Sequence, residues 1–200
     1  MNLPAASVHG RFQPFHNEHL EYVLAAKEKC DFLWIGITKY ATTPSEFTPL
    51  GRPRERPENN PLTYFERITI ISESLVEVGL QSGSFGFVPF PIETPQRLSE
   101  FMPVTIPCLT TVCEDWNREK IRILRSYGYN VTVLWERQKK VTGGAIREEI
   151  IRGGSSWQSL VPPATVRAVA ALNLRERLLK LRSITADDVG TGEDRFDQNA

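Results

Sequence analysis

Apolar positions in this chain come in short blocks whose period switches between that of a strand and that of a helix. AASVHG (5–10) reads as an opening strand, and RFQPFHN after it is a turn punctuated by Pro14. EHLEYVLAAKEKC follows, with Leu20, Val23 and Leu24 on a helical stripe. FLWIGIT (32–38) is a continuous apolar run, as in a strand covered on both faces. LTYFERITIISESLVEVG returns to helical period, with Gly79 as its C-terminal cap. The apolar runs FGFVPF (85–90), PCLTTVC (107–113) and NVTVLW (130–135) predict further strands. ETPQRLSEFM reads as a weak helix, DWNREKIRILRSYG as a helix ending at Gly128, and GGAIREEIIRGG as a short helix bounded by glycines. PPATVRAVAALNLRERLLKL predicts one closing helix that starts on proline, where the missing N–H costs nothing.

This alternation predicts an α/β fold: a Rossmann-like, doubly wound parallel sheet of about five strands, helices on both faces, and a C-terminal helical segment. Ligands of such open sheets sit beyond the carboxyl ends of the strands, so chemistry is expected first in the loop after the opening strand. Residues 39–61 break the rhythm with Pro44, Pro49, Pro53, Pro57 and Pro61, and predict a long exposed loop.

Lys and Arg number 24, as do Asp and Glu, for a net charge of zero. That argues against a nucleic-acid binder working through bulk charge, and no basic stripe with interleaved aromatics is present. The charge is uneven. From residue 183 on, five acids face the single base Arg195, so this tail carries −4 and residues 1–182 carry +4. The expected organisation is therefore one domain over 1–182 and an acidic, unstructured tail over 183–200. Cys30, Cys108 and Cys113 are odd in number and lack C-x-x-C spacing, which points to reduced thiols in a cytoplasmic protein. No apolar run reaches the length of a membrane span, and no secretory signal pattern is visible.

All three histidines, His9, His16 and His19, fall in the first turn region. His16 and His19 are three apart across a turn-to-helix junction, which places them on one side of a helix start. Helix N-termini present unpaired N–H groups and a positive dipole end, so they attract phosphate, and two imidazoles there would add donors. Gly10 lets backbone approach a ligand closely. The plainer reading is that these are ordinary core or surface histidines. A zinc site built on them lacks a Cys or acidic ligand at a familiar spacing.

The stretch GRFQPFHNEHL (10–20) resembles the G-R-F-Q-P-x-H-x-G-H signature of the HxGH nucleotidyltransferase superfamily, and more narrowly the archaeal nicotinamide mononucleotide adenylyltransferases. NPLTYFERI (60–68), VTGGAIREEI (141–150) and WQSLVPPATV (157–166) with ERLLKL (176–181) resemble further blocks of that family, in its order. The resemblance implies transfer of AMP from ATP to nicotinamide or nicotinic acid mononucleotide, forming the dinucleotide and pyrophosphate. It implies catalytic roles for His16, His19 and Arg147. Gly10, Arg11, Phe12, Arg67, Thr142, Gly143 and Ile146 would bind nucleotide phosphates. Mg²⁺ would be held through phosphate oxygens and water rather than by side chains, and the protein would be a homo-oligomer.

Departures from the pattern leave the acceptor open. Glu18 replaces the glycine of H-x-G-H and is expected to face solvent or Mg²⁺. CEDWN (113–117) matches its family counterpart poorly, and Trp116 within it is a candidate base or acceptor contact. The alternative within the family is adenylyl or cytidylyl transfer to another phosphorylated or phosphonate acceptor. The alternative of another class is a non-catalytic nucleotide sensor, against which the joint presence of His16, His19 and Arg147 speaks.

Overall fold

Strands β1 (Leu3–Gly10), β2 (Cys30–Ile37), β3 (Phe85–Pro89), β4 (Cys108–Val112) and β5 (Val131–Glu136) form one sheet in the order β3-β2-β1-β4-β5. All neighbours are parallel. The structure, a computed structural model, describes residues 2–41 and 56–190. The expected loop at 39–61 falls mostly on residues 42–55, which lie outside the described residues.

The side-chain alternation of the strands separates two cores. Ala6, Val8, Leu33, Ile35 and Ile37 pack on one face with α1 (Asn17–Lys27), α2 (Tyr64–Glu77) and α4 (Gly143–Arg152). Cys108 and Val112 pack on the other with Ile121 and Leu124 of α3 (Asp115–Ser126). Both faces are thus covered, which is why FLWIGIT reads as unbroken apolar sequence. The winding direction reverses between β1 and β4. Those two strands share a single register pair, Ser7 with Cys108, and the Ser7 N–H donates to Pro107 O at 2.8 Å. Beyond that rung the ladder stops, and a crevice opens at the carboxyl ends.

Two expected elements differ. ETPQRLSEFM forms only a 3₁₀ turn over Pro95–Glu100, because Leu98 and Met102 are its only buried apolar anchors and an α-helix needs a longer apolar stripe. The closing helix is two helices, α5 (Pro163–Ala171) and α6 (Leu174–Gly190), separated at Asn173, whose φ of 46° suits asparagine. Leu174 and Leu178 of α6 are fully buried against the first core. The helix runs to Gly190, past the boundary placed at 182 from composition, and residues 191–200 lie outside the described residues.

Candidate active site

The turn from β1 into α1 is built around buried side chains. Phe12 adopts a left-handed φ of 53° and is held there by burial, edge-on to Phe15 and to His19. The Gln13 side chain donates to Leu62 O at 2.7 Å and accepts from Leu62 N at 3.0 Å, clamping the segment before α2 onto the turn. Thr165 Oγ1 of α5 donates to Phe15 O at 3.0 Å. The sequence blocks at 60–68 and 157–166 therefore act as buttresses of the turn.

His16 occupies the N-cap of α1 and stacks on His19, with ring centroids 3.5 Å apart. His19 Nδ1 accepts the His16 backbone N–H at 3.3 Å, which leaves Nε2 as the protonated, donating nitrogen of a neutral ring. Burial, reinforced by Lys139, pushes the His16 pKa down to about 3. Burial also holds His19 well below the ordinary imidazole range, with His16, Lys139 and Arg11 adding to it and the Pro14 carbonyl opposing. Both rings are neutral donors at physiological pH.

The N-terminus of α4 faces this turn. Thr142 caps it, its hydroxyl accepting from Ala145 N at 3.2 Å. Gly143 has no room for a side chain, since a Cβ would stand 2.5 Å from Gln13 O. Arg147 donates to that same carbonyl at 2.6 Å through Nη1 and to Asn59 Oδ1 through Nη2. Its pKa is pushed down to about 10 by burial and then by Arg11, so it stays charged at neutral pH.

His16, His19, Arg147, Gly10, Arg11, Phe12, Thr142, Gly143 and Trp116 all line one cavity of about 1020 Å³ at the carboxyl end of the sheet. A second cavity of about 310 Å³, near Trp157 and Asn173, contains none of them. The site is a concentration of N–H donors and cations around a helix N-terminus, an arrangement suited to a polyphosphate. Among the described residues, no group of three or more His, Cys, Asp or Glu side chains stands where it could hold a metal.

Two expectations need correction, and Glu18, half-exposed as expected, has partners the sequence did not reveal. Arg67 is 1% exposed and does not face the cavity. Its guanidinium donates to Arg11 O (2.9 Å), Thr38 O (2.8 Å), Lys39 O (2.7 Å) and Thr63 O (3.2 Å), so it braces three backbone segments. Ile146 is buried in the core, and its side chain takes no part in the cavity. The Glu18 carboxylate accepts from Lys140 N at 3.0 Å and Val141 N at 3.4 Å, so it ties the loop before α4 to α1. Sequence reasoning also missed Gln13, whose place inside the first motif was its only signal.

No protein-family model matches the chain. It is 38% identical over 175 residues to the phosphonoformate cytidylyltransferase of Streptomyces viridochromogenes, covering 86% of this chain and 93% of that one. It is 29% identical over 181 residues to the nicotinamide-nucleotide adenylyltransferase of Picrophilus torridus, covering 88% and 96%. Among solved structures, a bifunctional NMN adenylyltransferase/ADP ribose pyrophosphatase of Francisella tularensis, complexed with AMP and a manganese ion, superposes with a TM-score of 0.64 at 15% identity. The match covers 94% of this chain and 54% of that protein, so the chain spans about half its length, and the likeness shows the fold alone.

Proposed function

The chain belongs to the nucleotidyltransferase superfamily, and we propose that it transfers a nucleotidyl group from a nucleoside triphosphate to an oxygen of a small phosphonate. Cytidylyl transfer to a phosphonocarboxylate is the case with most support. The observation that carries the reading is the convergence of His16, His19, Arg11, Arg147 and the α4 N-terminus on one cavity.

In the proposed step an acceptor oxygen bonds to the α-phosphorus. The bond from that phosphorus to the α–β bridging oxygen breaks, and pyrophosphate leaves with the electron pair. Such a step asks for alignment and for neutralisation of charge moving onto the leaving group. His19 Nε2–H would donate to the α-phosphate, with His16 beside it. Arg147, the Gly143 backbone and the Thr142 hydroxyl would hold the β- and γ-phosphates, and Arg11 would close the turn side. Mg²⁺, held through phosphate oxygens and water, would supply further charge neutralisation on the pyrophosphate. The three free cysteines support a reducing, cytoplasmic setting, and light scattering would test the homo-oligomer that the family resemblance implies.

The second reading is AMP transfer from ATP to nicotinamide or nicotinic acid mononucleotide, forming NAD or its acid counterpart. The archaeal adenylyltransferase relatives and the four motif blocks support it. Trp116, exposed on the cavity wall, would then face the pyridine ring or the base. A pyrophosphate-release screen crossing ATP and CTP with phosphonoformate and both pyridine mononucleotides separates the readings. Release with CTP and phosphonoformate supports the first, and release with ATP and a pyridine mononucleotide supports the second. No release with any pair contradicts nucleotidyl transfer at this cavity.

A further inference from the structure

The crevice between β1 and β4 contains polar groups that the phosphate seat does not use. His9 lies two residues beyond Ser7, and Thr110 two beyond Cys108, so both point to the α3 face just past the last rung joining the strands. One face of the His9 ring is covered by Phe90, stacked at 4.4 Å and 4°. Gly36, the register partner of His9, makes room for that stack, since a Cβ there would stand 2.7 Å from the Phe90 ring. Lys120 enters from α3 and is 9% exposed.

Nδ1 and Nε2 of His9 and Oγ1 of Thr110 are buried without a hydrogen-bond partner. Lys120 makes no hydrogen bond or salt bridge among the described residues. Buried polar groups are nearly always satisfied, so a cluster of unpartnered ones on a cavity wall marks a place where a ligand completes the bonding. All three residues line the same cavity as His19 and Arg147.

Resting on the phosphonate reading above, we infer that this crevice seats a second anionic group of the acceptor, a carboxylate beside the phosphonate. Lys120 is its counter-charge, and Thr110 and His9 are its neutral donors. Lys120 is then the residue that sets the acceptor class. Burial, followed by Lys139, lowers the Lys120 pKa to about 8, with Cys108, Cys113 and Glu114 opposing, so the ammonium is still mostly charged at neutral pH. The carboxylate acting on it, Glu114, is itself bonded to Lys139 at 3.0 Å. Burial and the Lys120 charge both keep His9 neutral, as a donor of one N–H. The crevice is therefore net positive. It attracts a carboxylate and repels a cationic pyridinium ring.

The test uses the full chain with CTP and two acceptors, phosphonoformate and methylphosphonate, which differ in the carboxylate. The wild type is expected to favour phosphonoformate in kcat/KM. Lys120→Met should cut that preference about 100-fold, and Thr110→Val about 10-fold in the same direction. Because the ammonium is unpaired, Lys120→Met should also raise the melting temperature of the free protein. Phosphonoformate should raise the melting temperature of the wild type more than that of the variant. A preference unchanged in both variants, in a wild type that turns over phosphonoformate, overturns this inference alone. A fall in melting temperature with unchanged preference marks Lys120 as structural and also overturns it. A wild type that uses only pyridine mononucleotides overturns the phosphonate reading, and the carboxylate seat with it.

Discussion

Replacing Arg67 by methionine separates a bracing arginine from one that touches substrate. Its guanidinium donates four hydrogen bonds to carbonyls drawn from the first turn, the end of β2 and the start of α2. Methionine fills much of the volume but its side chain donates nothing, which leaves the Arg11, Thr38 and Lys39 carbonyl oxygens unsatisfied, while Thr63 O keeps the backbone N–H of residue 67. A buried unsatisfied acceptor costs about 1–3 kcal/mol, and partial rearrangement recovers some of it. The expected loss is about 4 kcal/mol of folding stability, or a drop of about 8–16 °C in Tm for a domain of this size. Urea denaturation and steady-state kinetics on the same preparation form the assay. Arg11 and Lys39 both line the cavity, so loosening their backbones should lower kcat/KM for nucleotide and acceptor alike. A stable Arg67→Met protein with a raised KM for one substrate alone would refute the bracing role.

Three further outcomes are expected. His19→Asn keeps a carboxamide oxygen able to accept the His16 N–H but lacks the Nε2 donor, so stability should hold within about 1 kcal/mol. Its kcat should fall about 10²–10³-fold, the range for a lost transition-state donor, and turnover within fivefold of wild type would remove His19 from the mechanism. The folded-state pKa values of His9, His16 and His19 all lie below the unfolded value of about 6.5, so below that pH the unfolded chain binds more protons. Stability should be full above about pH 6.5 and fall as the pH drops, by about 1.4 kcal/mol per unit for each ring, a trend that for His16 ends near its folded value of about 3. Urea midpoints that do not change between pH 7.5 and 5.5 would contradict the burial of these rings. Gly143→Ala places a methyl against the Gln13 carbonyl, so α4 must shift. Activity should fall at least tenfold, with about 1–3 kcal/mol of lost stability, and a wild-type rate would show that the approach of α4 to the turn is not required.

The central strands were legible because both faces of the sheet are covered there, and each of their apolar runs had to belong to a buried element. The break at Asn173 was not, because the alanine-rich stretch before it and the leucines after it share good helix propensity. The two arginines show the limit at the site. Arg67 and Arg147 both sit in recognisable motifs, yet one guanidinium is wrapped in carbonyls and the other lines the cavity. Which of these happens depends on where the end of β2 and the 56–62 segment come to rest, and neither is written in the local pattern. The partners of Glu18 were hidden for the same reason, since Lys140 and Val141 are far away in sequence. Lys120 was invisible as a candidate because DWNREKIRIL contains several charges, and only the packing of α3 against the strand ends buries one of them.

We propose that the β1–α1 turn and the α4 N-terminus together seat a triphosphate. Hydrogen–deuterium exchange with and without CTP or ATP reads it at the backbone amides themselves. Slower exchange is expected in two separate stretches, residues 10–19 and 142–147, once nucleotide is added. Protection of only one stretch, or of amides around Trp157 and Asn173 instead, would contradict the account.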